Sequence, residues 1–128
     1  MPLDSKISVW ETRSDLPAVL VVPAALRQLV ECGDGELVEE LIAVFQTDTA
    51  QRLELMRRAV DAADYSTVRL EAHTIKGSAL QVGANRLADH CRQVEMEARK
   101  ARPDSLVPLF RVVLRSFEEV RGVIAARG

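Results

Sequence analysis

The chain has 128 residues, 48% of them apolar and 28% charged, a balance that fits one soluble globular domain with a core of its own. Its 17 lysines and arginines are scattered among 19 acidic residues for a formal net charge of −2, so the basic stripe that nucleic acid demands is missing and DNA and RNA fall as partners. The longest apolar run, Leu16 to Leu26, is broken by Pro17 and Pro23 and is too short to span a bilayer, so no membrane association is expected, and Cys32 and Cys91 show neither disulfide nor metal-ligand spacing, as suits a reducing cytoplasm.

Residues 1–22 hold Pro2 and Pro17 and keep no helical period, which predicts an N-terminal arm whose Trp10 and Val19, Leu20, Val21 and Val22 pack onto the body; residues 23–128 then form the domain. A short helix over 24–32 stops at Gly33, and Asp34 can cap a long one over 35–63 by accepting its free N–H groups. That helix carries the stripe Val38, Leu41, Phe45, Met56 and Val60, interrupted at Thr47 to Thr49. Asp64 caps a helix over 65–82, which Gly83 ends in the left-handed conformation. The next helix, 84–102, has the stripe Leu87, Cys91, Val94, Ala98 and Ala101, and Pro103 stops it. Asp104 caps the last helix, with Pro108 in its first turn and Leu106, Leu109, Val113, Phe117, Val120 and Ile124 as its seam. Four long amphipathic helices on short turns bury their stripes by packing side by side. The fold class is therefore all-α, an antiparallel up-and-down four-helix bundle with a short extra N-terminal helix and arm.

The stretch "EAHTIKGSALQVGA" of the 65–82 helix breaks the pattern. Val68, Ala72, Ile75 and Ala79 define its buried face, and at about 100° per residue His73 lies about 130° from that direction. Gly77, Lys76 and Arg69 fall toward the same wet side. A mid-helix glycine costs roughly 1 kcal/mol relative to alanine, and a bare patch of backbone there lets a partner surface come close. An ammonium three residues from the imidazole can sit beside an anion carried on the ring, for which phosphate is the natural candidate. Taken alone, an exposed histidine or a lone glycine means little; the combination with Lys76 is what points to chemistry. If the helices flanking Gly83 form a hairpin, reflection about residue 84 carries position 73 onto Glu95. A carboxylate there would accept Nδ1–H and leave Nε2 as the nucleophile; equally, Glu95 could be a solvated charge paired with Arg92 or Arg99. His90 and Cys91, considered with His73 or Cys32, lack ligand spacing, so no metal site is expected. His90 is expected at a helix interface and both cysteines in the core.

These residues resemble the histidine-containing phosphotransfer domain of multistep two-component signalling. The resemblance rests on "AHTIKGSALQVGA", on "NRLADHCRQVEMEAR" in the following helix and on the long preceding helix with Phe45, and covers roughly residues 23–126. It implies that His73 is phosphorylated, that Lys76 steadies the phosphoryl oxygens, that Gly77, with Arg69 and Gln81, belongs to the docking surface, and that Glu95 orients the imidazole. In many members the last position is glutamine; a carboxylate there favours the charged imidazolium, at some cost to the neutral nucleophile. No nucleotide-binding motif or acidic metal cluster stands out, so the resemblance implies no cofactor of the chain's own, with Mg²⁺ supplied by a partner receiver domain. The implied partners are receiver domains of response regulators or a hybrid sensor histidine kinase, met by a monomer. Two other functions stay open: the phosphoacceptor domain of a chemotaxis-type kinase, and a receiver-binding helical module that is never phosphorylated.

Overall fold

Helices form where the apolar period places them, though not all of their ends fall at the expected signals. The structure, a computed structural model, describes residues 24–127, and the expected arm over 1–22, with Trp10, lies outside them. The described helices are α1 (Ala24–Glu31), α2 (Gly35–Asp61), α3 (Tyr65–Val82), α4 (Asn85–Arg99) and α5 (Pro103–Arg127). Connections of two or three residues reverse the chain between the long helices, and α2, α3, α4 and α5 pack as neighbours in cyclic order, with α1 against α2. This is the expected all-α bundle. Among the described residues no helix is long and apolar enough to cross a membrane.

One core runs through the bundle, from Val38, Ile42, Phe45 and Met56 of α2 to Val113, Phe117 and Val120 of α5. The Phe45 and Phe117 rings meet edge-on at 6.3 Å, in the favoured geometry for aromatic pairs. The α2 stripe differs from the sequence reading. Leu41 is 40% exposed and Val60 only half-buried, while Ile42, Thr49, Leu53 and Ala59 are buried. The polar stretch around Thr49 does not break α2, because the Thr49 methyl group can occupy an apolar position; its hydroxyl is buried without a hydrogen-bond partner.

Polar contacts pin neighbouring helices in register. Arg52 of α2 donates to Glu71 of α3 at 3.0 Å and to Asp48 one turn earlier at 2.9 Å, so the buried Glu71 carboxylate has a cation from across the interface. On the other flank His90 of α4 contacts Ser116 of α5, and Arg86 pairs with Glu119. His90 is thus interfacial as expected. Cys91 is in the core, but Cys32 is exposed, since α1 ends at Glu31 and leaves it in the turn.

The helix ends depart from expectation in instructive ways. Asp64 caps α3, accepting from Thr67 N–H at 3.2 Å, whereas the Asp34 side chain makes no cap bond at α2. Helix α4 ends at Arg99, so Ala101 lies past it and is exposed, and Pro103 is the first residue of α5 rather than a spacer before it. Asp104 therefore sits inside the first turn, and Pro108 lies beyond that turn, where its missing N–H leaves the Asp104 carbonyl without its helical donor. Leu109 is half-buried, and Phe110 takes the core position.

The three turns between the long helices each use a left-handed residue after the helix: Ala63 (φ 54°), Gly83 (φ 79°) and Ala101 (φ 53°). Only Gly83 avoids the Cβ clash of that conformation, which costs about 1–2 kcal/mol for an L-residue. Ala63→Gly and Ala101→Gly are each expected to raise stability, by about 0.5–1 kcal/mol once glycine's larger unfolded-state entropy is subtracted. Urea unfolding measures it, and an unchanged or lower midpoint with the same slope would contradict the strain assignment.

Candidate functional site

The site forms where α3 and α4 run side by side after the Gly83 turn. Gly83 N–H bonds the Leu80 carbonyl and Ala84 N–H the Ala79 carbonyl at 2.8 Å, closing α3 tightly and launching α4 two residues later. That short reversal brings position 73 opposite position 95. The His73 side chain is 65% exposed, and its Nδ1 lies 3.1 Å from Glu95 Oε2. An ionised carboxylate only accepts, so Nδ1 carries the hydrogen, and in the neutral ring Nε2 keeps its lone pair.

Glu95 serves a second group. Lys76 Nζ donates to its other oxygen, Oε1, at 2.8 Å, and Arg99 Nη2 stands 3.7 Å from Oε2. The Glu95 side chain is only 10% exposed and that of Lys76 25%. Burial is the largest single influence on the Glu95 carboxyl and pushes it up, but the hydrogen bonds from Lys76 and His73 with their charges outweigh it, so the group is held below the usual carboxylate range. Cys91, one turn before Glu95, is fully buried, and burial pushes its thiol up to about 12, out of reach of nucleophilic or ligand chemistry at neutral pH.

The remaining predicted residues surround this centre. Gly77 is exposed one turn beyond His73, and a Cβ built there would meet nothing within 4 Å. The bundle itself therefore does not require glycine at 77. Gly122 is equally open, so an open glycine alone does not mark a site; its place beside His73 does. Arg69 is exposed one turn before His73. Gln81 is also exposed and lines a groove between α2 and α3, about 240 Å³, with Leu41, Val44, Asp48 and Ser78. Leu41, which the sequence reading put on the core stripe, and Val44 form its apolar wall. Among the described residues no group of three or more His, Cys, Asp or Glu side chains could hold a metal ion.

One relation escaped the sequence reading. Reflection about residue 84 sets Lys76 opposite Arg92, yet Nζ reaches Glu95. Helical side chains lean toward their helix N-terminus, so Lys76 bends back to the level of His73, which faces Glu95. Of the two arginines named as possible partners of Glu95, Arg99 stands near the carboxylate, one turn on, while Arg92 pairs with Asp89.

The Hpt domain family model matches residues 40–123. Histidine-containing phosphotransfer protein 2 of Arabidopsis thaliana is 33% identical over 69 residues, a match covering 52% of this chain and 44% of that protein, so the chain spans less than half of that relative's length. The crystal structure of histidine-containing phosphotransfer protein B (HptB) from Pseudomonas aeruginosa PAO1 aligns with a TM-score of 0.71 at 28% identity, covering 80% of this chain and 86% of that one.

The lowered Glu95 carboxyl makes a signed prediction. Its contribution to stability is present above the ordinary carboxylate value of about 4.3 and is lost as pH falls through the lower folded value, because the unfolded chain then binds the proton first. Stability of the native protein relative to Glu95→Gln, followed by urea unfolding between neutral and acid pH, should therefore fall as pH drops through that window. A constant difference across it would mean that the carboxylate is not held by its partners.

Proposed function

The chain belongs to the Hpt domain family, and on that premise we propose that it is a phosphorelay carrier which takes a phosphoryl group onto His73 from a receiver-domain aspartate and passes it to another. The observation that carries this reading is the exposed imidazole tied through Nδ1 to a nearly buried carboxylate, which presents Nε2 as a fixed nucleophile. In this reading the chain acts as a carrier, not a kinase. The receiver supplies the aspartyl phosphate and the divalent cation, and His73 supplies position and a lone pair, mostly a proximity effect. Lys76 stands three residues from His73, where an ammonium can reach phosphoryl oxygens, and Arg99 adds positive charge at the rim.

The docking face would extend from Gly77 and Arg69 over Gln81 to the groove walled by Leu41 and Val44. The groove is apolar where a partner's apolar side chains would enter, and bare at Gly77 where a receiver's active-site rim must approach the ring. Partners are receiver domains, alone or within a hybrid sensor kinase, engaged by a monomer in the cytoplasm.

Incubation with a phosphorylated receiver and, separately, with a kinase domain and ATP tests the assignment. Label on His73 is expected in the first mixture, stable to base and lost in acid as for a phosphoramidate; label only in the second would favour a kinase phosphoacceptor domain. Because the ring is exposed, His73→Gln should lose the label while its unfolding free energy stays within about 0.5 kcal/mol of the native chain. A variant that unfolds, or one that keeps the label, would remove His73 from its role.

Gly77→Gln separates docking from folding. With open space around the Cβ, the helix should gain about 0.5–1 kcal/mol, while affinity for the receiver, read by calorimetry, should fall. Unchanged affinity would take Gly77 out of the interface.

A further inference from the structure

A carboxylate has two accepting oxygens and nothing to donate, and Glu95 uses both. Oε2 takes Nδ1–H of His73 and Oε1 takes Nζ of Lys76, at 3.1 Å and 2.8 Å. A carboxamide could not do the same: with its oxygen on Nδ1–H, its NH₂ would face the ammonium donor against donor. With 10% and 25% of their side chains exposed, Glu95 and Lys76 are screened less by water and salt than an open surface pair. Lys76 in the unphosphorylated chain is therefore a committed cation rather than a free one.

Building on the carrier reading, we propose that Glu95 and the phosphoryl group on His73 compete for Lys76, so that the carboxylate makes the phosphorylated chain a readier donor. In the transfer, the Nε2 lone pair forms the N–P bond while the P–O bond to the receiver aspartate breaks, its electron pair leaving as the receiver's carboxylate. The Nδ1 proton stays, so the ring becomes a cation hydrogen-bonded to Glu95. The new phosphoryl group then presents negative charge to an ammonium on the same side of α3. Lys76 can move to it only by leaving Glu95 Oε1, which strips a nearly buried carboxylate of its closest full charge. If it stays, the phosphoryl oxygens are less neutralised. In both cases one ammonium cannot satisfy two anions, so part of the charge of the carboxylate or of the phosphoryl group stays uncompensated. The Nδ1–H hydrogen bond to Oε2 is made before and after transfer, so the competition lies with Lys76. That competition favours donation.

The discriminating variant is Glu95→Gln, nearly isosteric, which keeps an acceptor for Nδ1–H and releases Lys76. Radiolabelled phosphoreceiver is mixed with each folded protein to equilibrium, the share of label on His73 is measured, and its lifetime is followed after the receiver is removed. A single partly exposed charge acts over about one decade or less, so the ratio of phosphohistidine to phosphoreceiver should rise roughly three- to tenfold in Glu95→Gln, with a longer lifetime. In a Lys76→Ala background the same change should raise the ratio clearly less, because no ammonium remains to be freed. An unchanged or lower ratio in Glu95→Gln overturns the inference and leaves the carrier reading intact, as does an equal rise with and without Lys76. Absence of label on native His73 overturns the carrier reading itself, and the inference with it.

Discussion

The register between α3 and α4 is the constraint on which the site depends. It is set by two residues, Gly83 in the left-handed conformation and Ala84, fully buried behind it. An additional residue in this connection would rotate α4 by about 100° relative to α3 and carry Glu95 away from His73. The buried faces on either side, Ala72, Ile75 and Ala79 on α3 and Leu87, Cys91 and Val94 on α4, hold that register by packing. Small residues on α3 let the two helices lie close, which is what brings a short carboxylate within reach of an imidazole on the neighbouring helix.

Among the described residues two acidic ones are buried, Glu71 and Glu95, and each is matched by a cation from the helix it faces. Arg52 crosses from α2 to Glu71 with its other edge tied to Asp48, an arrangement complete in itself and confined to holding α2 on α3. Lys76 crosses from α3 to Glu95, but there the second oxygen is turned to an exposed ring. A buried carboxylate without partners would cost several kcal/mol, so both clusters are held in place by the need for compensation. The two clusters differ in what completes them: a second chain-internal tie at Arg52, an exposed imidazole at Glu95.

His73 is held by a hydrogen bond whose acceptor is itself fixed by Lys76 and by burial, so the ring is oriented before any partner arrives. The Cys91 thiol, one turn before Glu95, is kept protonated by its burial. The bare backbone at Gly77 and the groove beside Gln81 leave the approach to the ring open on the side away from Glu95's helix.

Much of this was legible in the chain. Helix types followed from the three- and four-residue spacing of apolar residues, because a helix buries one face and exposes the other. The outward direction of His73 followed from the same geometry, since Val68, Ala72, Ile75 and Ala79 leave only one face to the core. The meeting of His73 with Glu95 followed from a glycine that must end α3. Tertiary structure decided what periodicity does not encode. Packing of α3 and α5 against α2 turned Ile42 inward and Leu41 outward, a rotation that two adjacent apolar residues cannot announce. The end of α4 at Arg99 rather than beyond depended on the turn into Pro103, and with it the exposure of Ala101. That Lys76 lies on Glu95, rather than opposite Arg92, was settled by side-chain lean across a packed interface, because a long flexible side chain is positioned by the nearest buried charge and not by its place in the sequence.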